Sequence, residues 1–173
     1  MTDQELKDLV ASLAISQAET DEQLKKTDEQ LKKLGVYIGN VANNQGDVAE
    51  EYFINSLKDN LMVANMSFDT LMENVGIRVK NIRDEFDILL VNGESVAIIE
   101  VKYKVHPNIL EKLPKKIEHL KLMPQYKNYK VYAGIAGFFI PDEVIEEAVK
   151  SGYFVLERKG DVIQTYSDEL RVA

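Results

Sequence analysis

Residues 84–105 read DEFDILLVNGESVAIIEVKYKV, and this stretch decides the fold. Two apolar runs rich in Ile, Leu and Val are separated by Asn-Gly at 92–93, a pair that tolerates the positive φ angles of a tight turn. The stretch therefore predicts a β-hairpin. Charges interrupt its apolar pattern at Asp87, Glu100 and Lys102. Because charges among buried residues are costly unless they are paired or bind a metal, these three are candidate functional residues.

The positions of these charges predict a metal site. Side chains alternate along a strand, so Glu100 and Lys102 are expected on one face and Val101 on the other. If Asp87 faces Glu100 across the hairpin, the two carboxylates repel unless a divalent cation lies between them. Mg²⁺ suits such a site because it takes a few carboxylates and keeps waters and phosphate oxygens as its other ligands, and the Val101 carbonyl is a further hard oxygen. Lys102 could then orient or help to deprotonate a water, or neutralise charge in a transition state, which outlines phosphodiester hydrolysis.

The rest of the chain predicts a mixed α/β domain around this hairpin. A helix is expected from Asp47, with Val48 to Leu57 contributing a core face, and strands near 66–71 and 76–79 with a turn at 73–74. A basic helix over about 107–126 is expected to kink or to begin at Pro114. The remaining elements are a strand over 130–140, a short helix from 142 to 152, and strands at 153–157 and 162–166.

The N-terminal residues predict a coiled coil. Residues 3–42 read as one long helix, and DEQLKKT followed by DEQLKKL is a direct heptad repeat. The predicted seam follows alternating steps of four and three residues: Leu6, Val10, Leu13, Gln17, Thr20, Leu24, Thr27, Leu31, Leu34, Ile38 and Val41. We expect residues 1–45 to form a homo-oligomer and residues 46–173 a separate domain, with a helix break at 43–46. The alternative is a solvated amphipathic helix that packs on its own domain.

Composition limits the other classes of protein. The chain has 173 residues, no cysteine and two histidines, which excludes disulfides and thiolate zinc sites. No apolar run reaches the length of a membrane span and the first residues lack signal-peptide character, so a cytoplasmic protein without a membrane partner is expected.

The charge is unevenly distributed. The net charge is −8, yet residues 101–132 hold eight lysines against two acids, a local +6. This segment predicts a phosphate-facing surface on which Tyr103 or Tyr126 could stack on a base; the alternative is a solvated lysine face. The candidate nucleic-acid contacts are Lys104, Lys112, Lys115, Lys116 and Lys121.

The motif resembles that of the PD-(D/E)XK nuclease superfamily: Asp87, then Glu100-Val101-Lys102 at the end of an apolar strand, although Phe86 stands where the motif has proline. The similarity extends over residues 46–166, in which a helix with an acid precedes the hairpin and a helix and strand follow it. The resemblance implies a restriction-endonuclease-like mixed β-sheet flanked by helices and metal-dependent cleavage of DNA, less often of RNA, with Mg²⁺ or Mn²⁺. It also implies a further carboxylate from the leading helix, Glu50 or, as the alternative, Glu51.

With its coiled coil, the chain resembles small uncharacterised bacterial and archaeal proteins that carry this nuclease-like domain. The expected function is thus a metal-dependent DNA endonuclease that is oligomeric through its N-terminal helix. A second expectation is a catalytically inactive, nuclease-derived protein that binds nucleic acid or serves as a scaffold. A Glu-x-Lys sequence can also be a plain surface ion pair, with Asp87 capping a turn.

Overall fold

The computed structural model describes residues 2–167 and 169–173, and the chain divides into two compact units, 1–44 and 45–173. A single helix, α1 (Asp3–Asp59), contributes to both. The predicted break at 43–46, with a new helix from Asp47, is therefore wrong. Asn or Gly in a helix interior costs only about 1 kcal/mol or less, whereas a break leaves four N–H and four C=O groups without helical partners. Every described residue of the first unit is exposed.

The second unit is a mixed sheet with helices on both faces. Its strands are β1 (Met62–Val63), β2 (Met66–Ser67), β3 (Thr70–Val79), β4 (Ile82–Asn92), β5 (Ser95–Lys104), β6 (Lys130–Phe139), β7 (Phe154–Lys159) and β8 (Val162–Tyr166). Its further helices are α2 (Ile109–Lys121), a 3₁₀ turn (Pro124–Tyr126) and α3 (Asp142–Lys150). Strands β1 and β2 pair with each other, and the others form one sheet in the order β3-β4-β5-β6-β7-β8. The expected α/β architecture behind a long N-terminal helix is confirmed.

Connections determine which strands are parallel. The pairs β3-β4, β4-β5 and β7-β8 are antiparallel and are joined by short turns, whereas β5-β6 and β6-β7 are parallel. Parallel neighbours need a crossover, and α2 and α3 supply the two crossovers. The carboxyl ends of β5, β6 and β7 consequently meet at one edge of the sheet.

Each face of the sheet has its own apolar core. On β5, Ile99 and Val101 belong to the core that contains Phe53 from the end of α1. Ile98, on the same strand, belongs to the core beneath Leu120 of α2. This alternation is the period of two that a strand buried on both faces requires. None of the described helices is long and apolar enough to cross a membrane.

Three local expectations differ from the structure. The predicted turn at 73–74 is wrong, because β3 is continuous and turns into β4 after Val79, with Lys80 at φ 53°. The β4-β5 hairpin is confirmed, but its turn lies one residue later, so that Asn92 still pairs with Ser95. Helix α2 begins before Pro114 and holds this proline in its interior, so a start at Pro114 is wrong, whereas the alternative of a kink stays a prediction.

Gly134 of β6 provides a test of how closely the sheet and its neighbours pack. A Cβ at this position would collide with the ring of Phe154, whereas a Cβ at Gly76 of β3 meets nothing within 4 Å. We expect Gly134→Ala to lower the free energy of unfolding by about 1–3 kcal/mol through overpacking. Gly76→Ala is the matched control in the same sheet and should leave stability unchanged or slightly raised. Urea denaturation followed by circular dichroism measures both, and equal stabilities would contradict the expectation.

Candidate active site

The regular pairing of the central hairpin ends at Asp87. The β4-β5 ladder stops at the pair Ile88 and Ile99, although both strands continue. Phe86 and Ile88 would share a face in a regular strand, yet they lie in cores on opposite sides of the sheet. On the neighbouring strand, Asn74 has a φ of 51° and, like Asp87, is left out of the β3-β4 register. The strands are therefore locally distorted at Asp87.

This distortion lets a side chain replace a backbone acceptor. The Val101 N–H donates to Oδ2 of Asp87 at 2.8 Å, in place of a carbonyl on the facing strand. The Lys102 ammonium lies 3.3 Å from the same carboxylate oxygen and donates to the Val101 carbonyl at 2.7 Å. The Asp87 side chain is 15% exposed and that of Lys102 is 46% exposed. A cationic group thus bridges a carboxylate and a carbonyl that the sequence predicts as metal ligands.

Glu100 is buried and is matched by a lysine from α2. Its Oε1 lies 2.6 Å from the Lys116 ammonium, which makes an ion pair. The geometry of this contact is not that of a hydrogen bond, and no other described residue donates a hydrogen bond to this oxygen. Lys116 also lies 3.4 Å from Oδ1 of Asp84 and donates to the Glu85 carbonyl. Its ammonium is 5.4 Å from the centre of the Phe86 ring. Lys116 therefore holds β5 and the start of β4 against α2.

Asp84 and His119 complete this network, and sequence reasoning missed both. His119 is buried on α2, and its Nδ1 lies 2.6 Å from Oδ2 of Asp84. Burial alone would raise the pKa of Asp84, but the His119 hydrogen bond, a backbone hydrogen bond and Lys116 outweigh it and lower the pKa. One signal was available, since Lys116 and His119 are three residues apart and share a face of any helix that contains them.

Burial and neighbouring charges shift the pKa values of Glu100 and Lys116. Burial, and then repulsion by Asp87, raise the pKa of Glu100 in spite of the attraction of Lys116. Burial acts to lower the pKa of Lys116, yet Glu100 and Asp84 overcome it and the net shift is upward. Glu100 and Lys116 thus each affect the pKa of the other, and Asp87 is a further acid that acts on both.

Glu50 lies within the electrostatic reach of this cluster. Burial, and then the charge of Asp87, raise the pKa of Glu50, while Lys102 acts in the opposite direction. Glu50 is half-buried on α1, whereas the adjacent Glu51 is exposed. The sequence predicted Glu50 or Glu51 as a further carboxylate. Glu50 is the half-buried one of the two, and the charge of Asp87 contributes to its raised pKa.

The donor set suits a hard divalent cation. Oδ1 of Asp87 and Oε2 of Glu100 have no partner among the described residues, because the contacts above use the other oxygen of each carboxylate. These oxygens and the Val101 carbonyl are ligand types that Mg²⁺ and Mn²⁺ accept. Within residues 2–167 and 169–173, no three Asp, Glu or His side chains lie close enough together to hold a metal ion. Cation binding would thus have to move Lys102 away from the carbonyl.

The other predicted nucleic-acid contacts are exposed on the surface. They are Lys104 at the end of β5 and Lys112, Lys115 and Lys121 on α2. Lys116 differs from them, because its side chain is only 15% exposed and is engaged with carboxylates. Stacking of a base on Tyr126 is wrong, since this ring is 7% exposed and packs edge-on against Tyr129.

Residues 58–165 match the model of a family described as a domain of unknown function, DUF8196. The chain belongs to this family. The DUF8196 region runs from the end of α1 through β8 except for its last residue, Tyr166. It includes Asp87, Glu100, Lys102 and Lys116, whereas Glu50 precedes it.

No curated protein matches the sequence. Among solved structures, protein VC1899 from Vibrio cholerae is similar at 16% identity and a TM-score of 0.41. The similarity covers 63% of this chain and 28% of that protein, so the chain spans little more than a quarter of its length. A likeness this distant transfers no property to the DUF8196 chain.

The charge balance at Glu100 can be tested by removing its partner. Lys116→Met leaves a buried carboxylate without a counter-charge, and we expect the free energy of unfolding at pH 7 to fall by about 3 kcal/mol. The matched control is Lys115→Met, since Lys115 is the exposed neighbour on the same helix and its loss should cost about 0.5 kcal/mol or less. Urea denaturation compares the two variants, and equal losses would mean that Glu100 does not depend on Lys116.

Proposed function

We propose that this protein is a divalent-cation-dependent phosphodiesterase of the PD-(D/E)XK type that cleaves DNA. One observation supports the proposal: where the β4-β5 ladder ends, the Lys102 ammonium bridges Asp87 and the Val101 carbonyl, and the charge of Asp87 contributes to the raised pKa of Glu100. Acidic side chains, a carbonyl and a lysine are the groups that such hydrolysis requires. A cytoplasmic place of action is part of the proposal.

Four residues would hold the cation, Mg²⁺ or Mn²⁺. Asp87 and Glu100 each have an oxygen that accepts no hydrogen bond from the described residues. The Val101 carbonyl lies between Glu100 and Lys102 in the sequence, and the charge of Asp87 contributes to the raised pKa of Glu50. When bound, the cation polarises a phosphodiester and acidifies a water.

Lys116, Lys102 and the exposed lysines would have different roles at this site. Lys116 holds Oε1 of Glu100 and so leaves Oε2 for other contacts. Lys102 is nearly half exposed, so its ammonium can leave the Val101 carbonyl without leaving the site. There it can contact a phosphate oxygen, neutralise charge that develops on the phosphodiester, or hold a proton for an attacking water. The exposed lysines of α2 and Lys104 would neutralise backbone phosphates further away.

The N-terminal helix supports the oligomeric part of the proposal. In the single chain the seam leucines Leu24 and Leu31 are 62% and 61% exposed, and so are the other apolar seam residues to a similar degree. Apolar side chains that repeat every 3.5 residues over this length are buried when identical helices associate. We propose that residues 1–45 form a homo-oligomeric coiled coil.

The catalytic proposal predicts Mn²⁺- or Mg²⁺-dependent cleavage of DNA by the purified protein. Lys102→Ala and Asp87→Asn should each reduce the cleavage rate by at least about a hundredfold, because each removes a charge from the reacting centre. Asparagine keeps an acceptor for the Val101 N–H, so the strand geometry should survive. Gel electrophoresis of labelled DNA measures the rates.

Matched controls for these variants lie at the other end of the sheet. Lys130, which pairs with Glu94 at the amino ends of β5 and β6, is exposed. Asp69 is exposed just before β3, and its N–H donates to the Val91 carbonyl near the turn between β4 and β5. Lys130→Ala and Asp69→Asn should therefore cleave like the wild type. If both Asp87→Asn and Lys102→Ala still cleave DNA at the wild-type rate, these residues do not form the active site.

The coiled coil is tested by two double variants with equal loss of exposed apolar surface. Leu24→Lys with Leu31→Lys changes the seam and should convert the oligomer to a monomer. Ile15 and Val36 are 62% and 66% exposed but lie off the seam, so the variant with Lys at both positions should keep the wild-type mass. Light scattering at two protein concentrations decides, and a seam variant with unchanged mass would reject this interface.

A second candidate function is an inactive, nuclease-derived protein that binds nucleic acid or acts as a scaffold. It is favoured by one observation: both acids are already matched by lysines, and no metal centre is preformed within the described part of the chain. It predicts DNA retention without turnover and no Mn²⁺ binding in calorimetry. Mn²⁺ binding that is lost in Asp87→Asn would exclude it.

A further inference from the structure

Arg158 of β7 is a cation held on aromatic rings rather than on an acid. Its guanidinium carbon lies 4.9 Å from the centre of the Tyr52 ring and 4.6 Å from that of Phe138. Its Nε donates to the Gly160 carbonyl at 2.9 Å, and it makes no ion pair with any residue that the structure describes. The adjacent Lys159 differs, because it pairs with Glu157 at 2.9 Å. A guanidinium has five N–H donors, so four of those of Arg158 have no acceptor within residues 2–167 and 169–173.

The rings fix the orientation of this guanidinium. Tyr52 and Phe138 meet edge to face, with ring centres 5.2 Å apart and planes at 87°. Phe138 is anchored on β6 and is 9% exposed, and Tyr52 is anchored on α1. A planar fork that is stacked and preoriented, with its donors free, matches the oxygens of a phosphate better than a mobile lysine does.

Arg158 lies at the same edge of the sheet as the proposed active site. The strand register aligns Lys102 of β5 with Gly137 of β6, and Gly137 with Glu157 of β7. Arg158 follows Glu157 on β7 and so lies one residue beyond this row, two strands away from Lys102. Neighbouring strands are about 4.8 Å apart, which places β7 about 10 Å from β5. The rise along the axis of DNA is about 3.4 Å per nucleotide, so a separation of about 10 Å is within the span of a few nucleotides of one strand.

An exposed aromatic residue lies on the strand between these two cations. Phe139, at the end of β6, is 56% exposed, and its ring centre is 5.6 Å from that of Tyr103. In the register Phe139 aligns with the exposed Lys104 of β5. Proteins that bind single-stranded nucleic acid combine cationic side chains, which contact phosphates, with aromatic side chains, on which bases stack.

We infer that Arg158 binds a phosphate that flanks the cleaved bond, and that Phe139 with Tyr103 stacks a base between this phosphate and the catalytic carboxylates. The nucleic acid then crosses the carboxyl ends of β5, β6 and β7. This inference rests on the proposed function, which it extends to how the substrate is held.

The test is DNA binding by fluorescence anisotropy in EDTA, with labelled single-stranded and duplex DNA over a series of salt concentrations. Arg158→Ala should weaken binding about tenfold at 100 mM salt and reduce the slope of log K against log [salt] by about one, because one phosphate contact is lost. Arg158→Lys should keep the slope and lose affinity a few-fold, since the charge remains without the fork. Phe139→Ala should weaken binding of the single strand without changing the slope.

Two control variants define the background. Lys150→Ala removes one exposed charge from α3 and should leave both affinity and slope unchanged. Lys130→Ala removes one exposed charge at the amino end of β6, on the opposite edge of the sheet, so it too should bind like the wild type. Thermal melts of all variants establish that they are folded.

The outcomes separate this inference from the proposed function. If Arg158→Ala has the same slope and affinity as Lys150→Ala while the wild type cleaves DNA, the inference is overturned and the catalytic proposal stands. If Arg158→Ala reduces the slope but the wild type never cleaves DNA with Mn²⁺, the binding path stands and the catalytic proposal is overturned. If the wild type binds neither form of DNA, both are overturned.

Discussion

A carboxylate buried at the carboxyl end of β5 must be matched by positive charge, and the arrangement of the site follows from this requirement. Glu100 is 4% exposed, and water cannot solvate its charge. Lys116 reaches it from α2 at 2.6 Å, and through Asp84 the same lysine is linked to His119. This chain of contacts ties α2 to the two central strands. The orientation of the helix that crosses from β5 to β6 is therefore coupled to the charge on Glu100.

Stability alone does not account for such a cluster. A buried ion pair gains little over a well-packed apolar pair of similar volume, because desolvation offsets most of the attraction. Here the strands around the cluster are rich in isoleucine, leucine and valine, and an apolar pair would fit their surroundings. The raised pKa values of Glu100 and Glu50, which arise first from burial and then from the charge of Asp87, indicate that the acids are not fully compensated. Groups in this condition are typical of binding and catalytic sites.

The sequence revealed the elements whose pattern is local. The hairpin, the heptads of α1 and the strands β6 to β8 follow from periodicity and turn residues within short windows. The helix break failed because Asn and Gly at 43–46 are weak signals against a helix that is already long. The turn at 73–74 failed for a related reason, since Asn74 tolerates a positive φ inside a strand as well as in a turn.

What the sequence could not reveal is the set of contacts between elements. Asp87, Glu100 and Lys102 are conspicuous because they interrupt apolar strands, but Lys116 looks like any lysine beside a helical stripe. Its role depends on how α2 is rotated about its axis, which is set by Leu113 and Leu120 in the core. The Asp84–His119 contact spans 35 residues, beyond any local pattern.

The end of the β4-β5 ladder explains why the candidate active site lies where it does. A continuous ladder would pair the Val101 N–H with a carbonyl and leave Asp87 to point toward one face of the sheet. Because pairing stops at Ile88 and Ile99, the N–H is available to Asp87, and the carboxylate lies beside the backbone of β5. The same interruption brings Lys102 onto the Val101 carbonyl, next to the carboxyl ends of the parallel strands. A distorted strand thus places the acid beside the Val101 carbonyl and Lys102, so that the backbone irregularity and the candidate site are one feature of the fold.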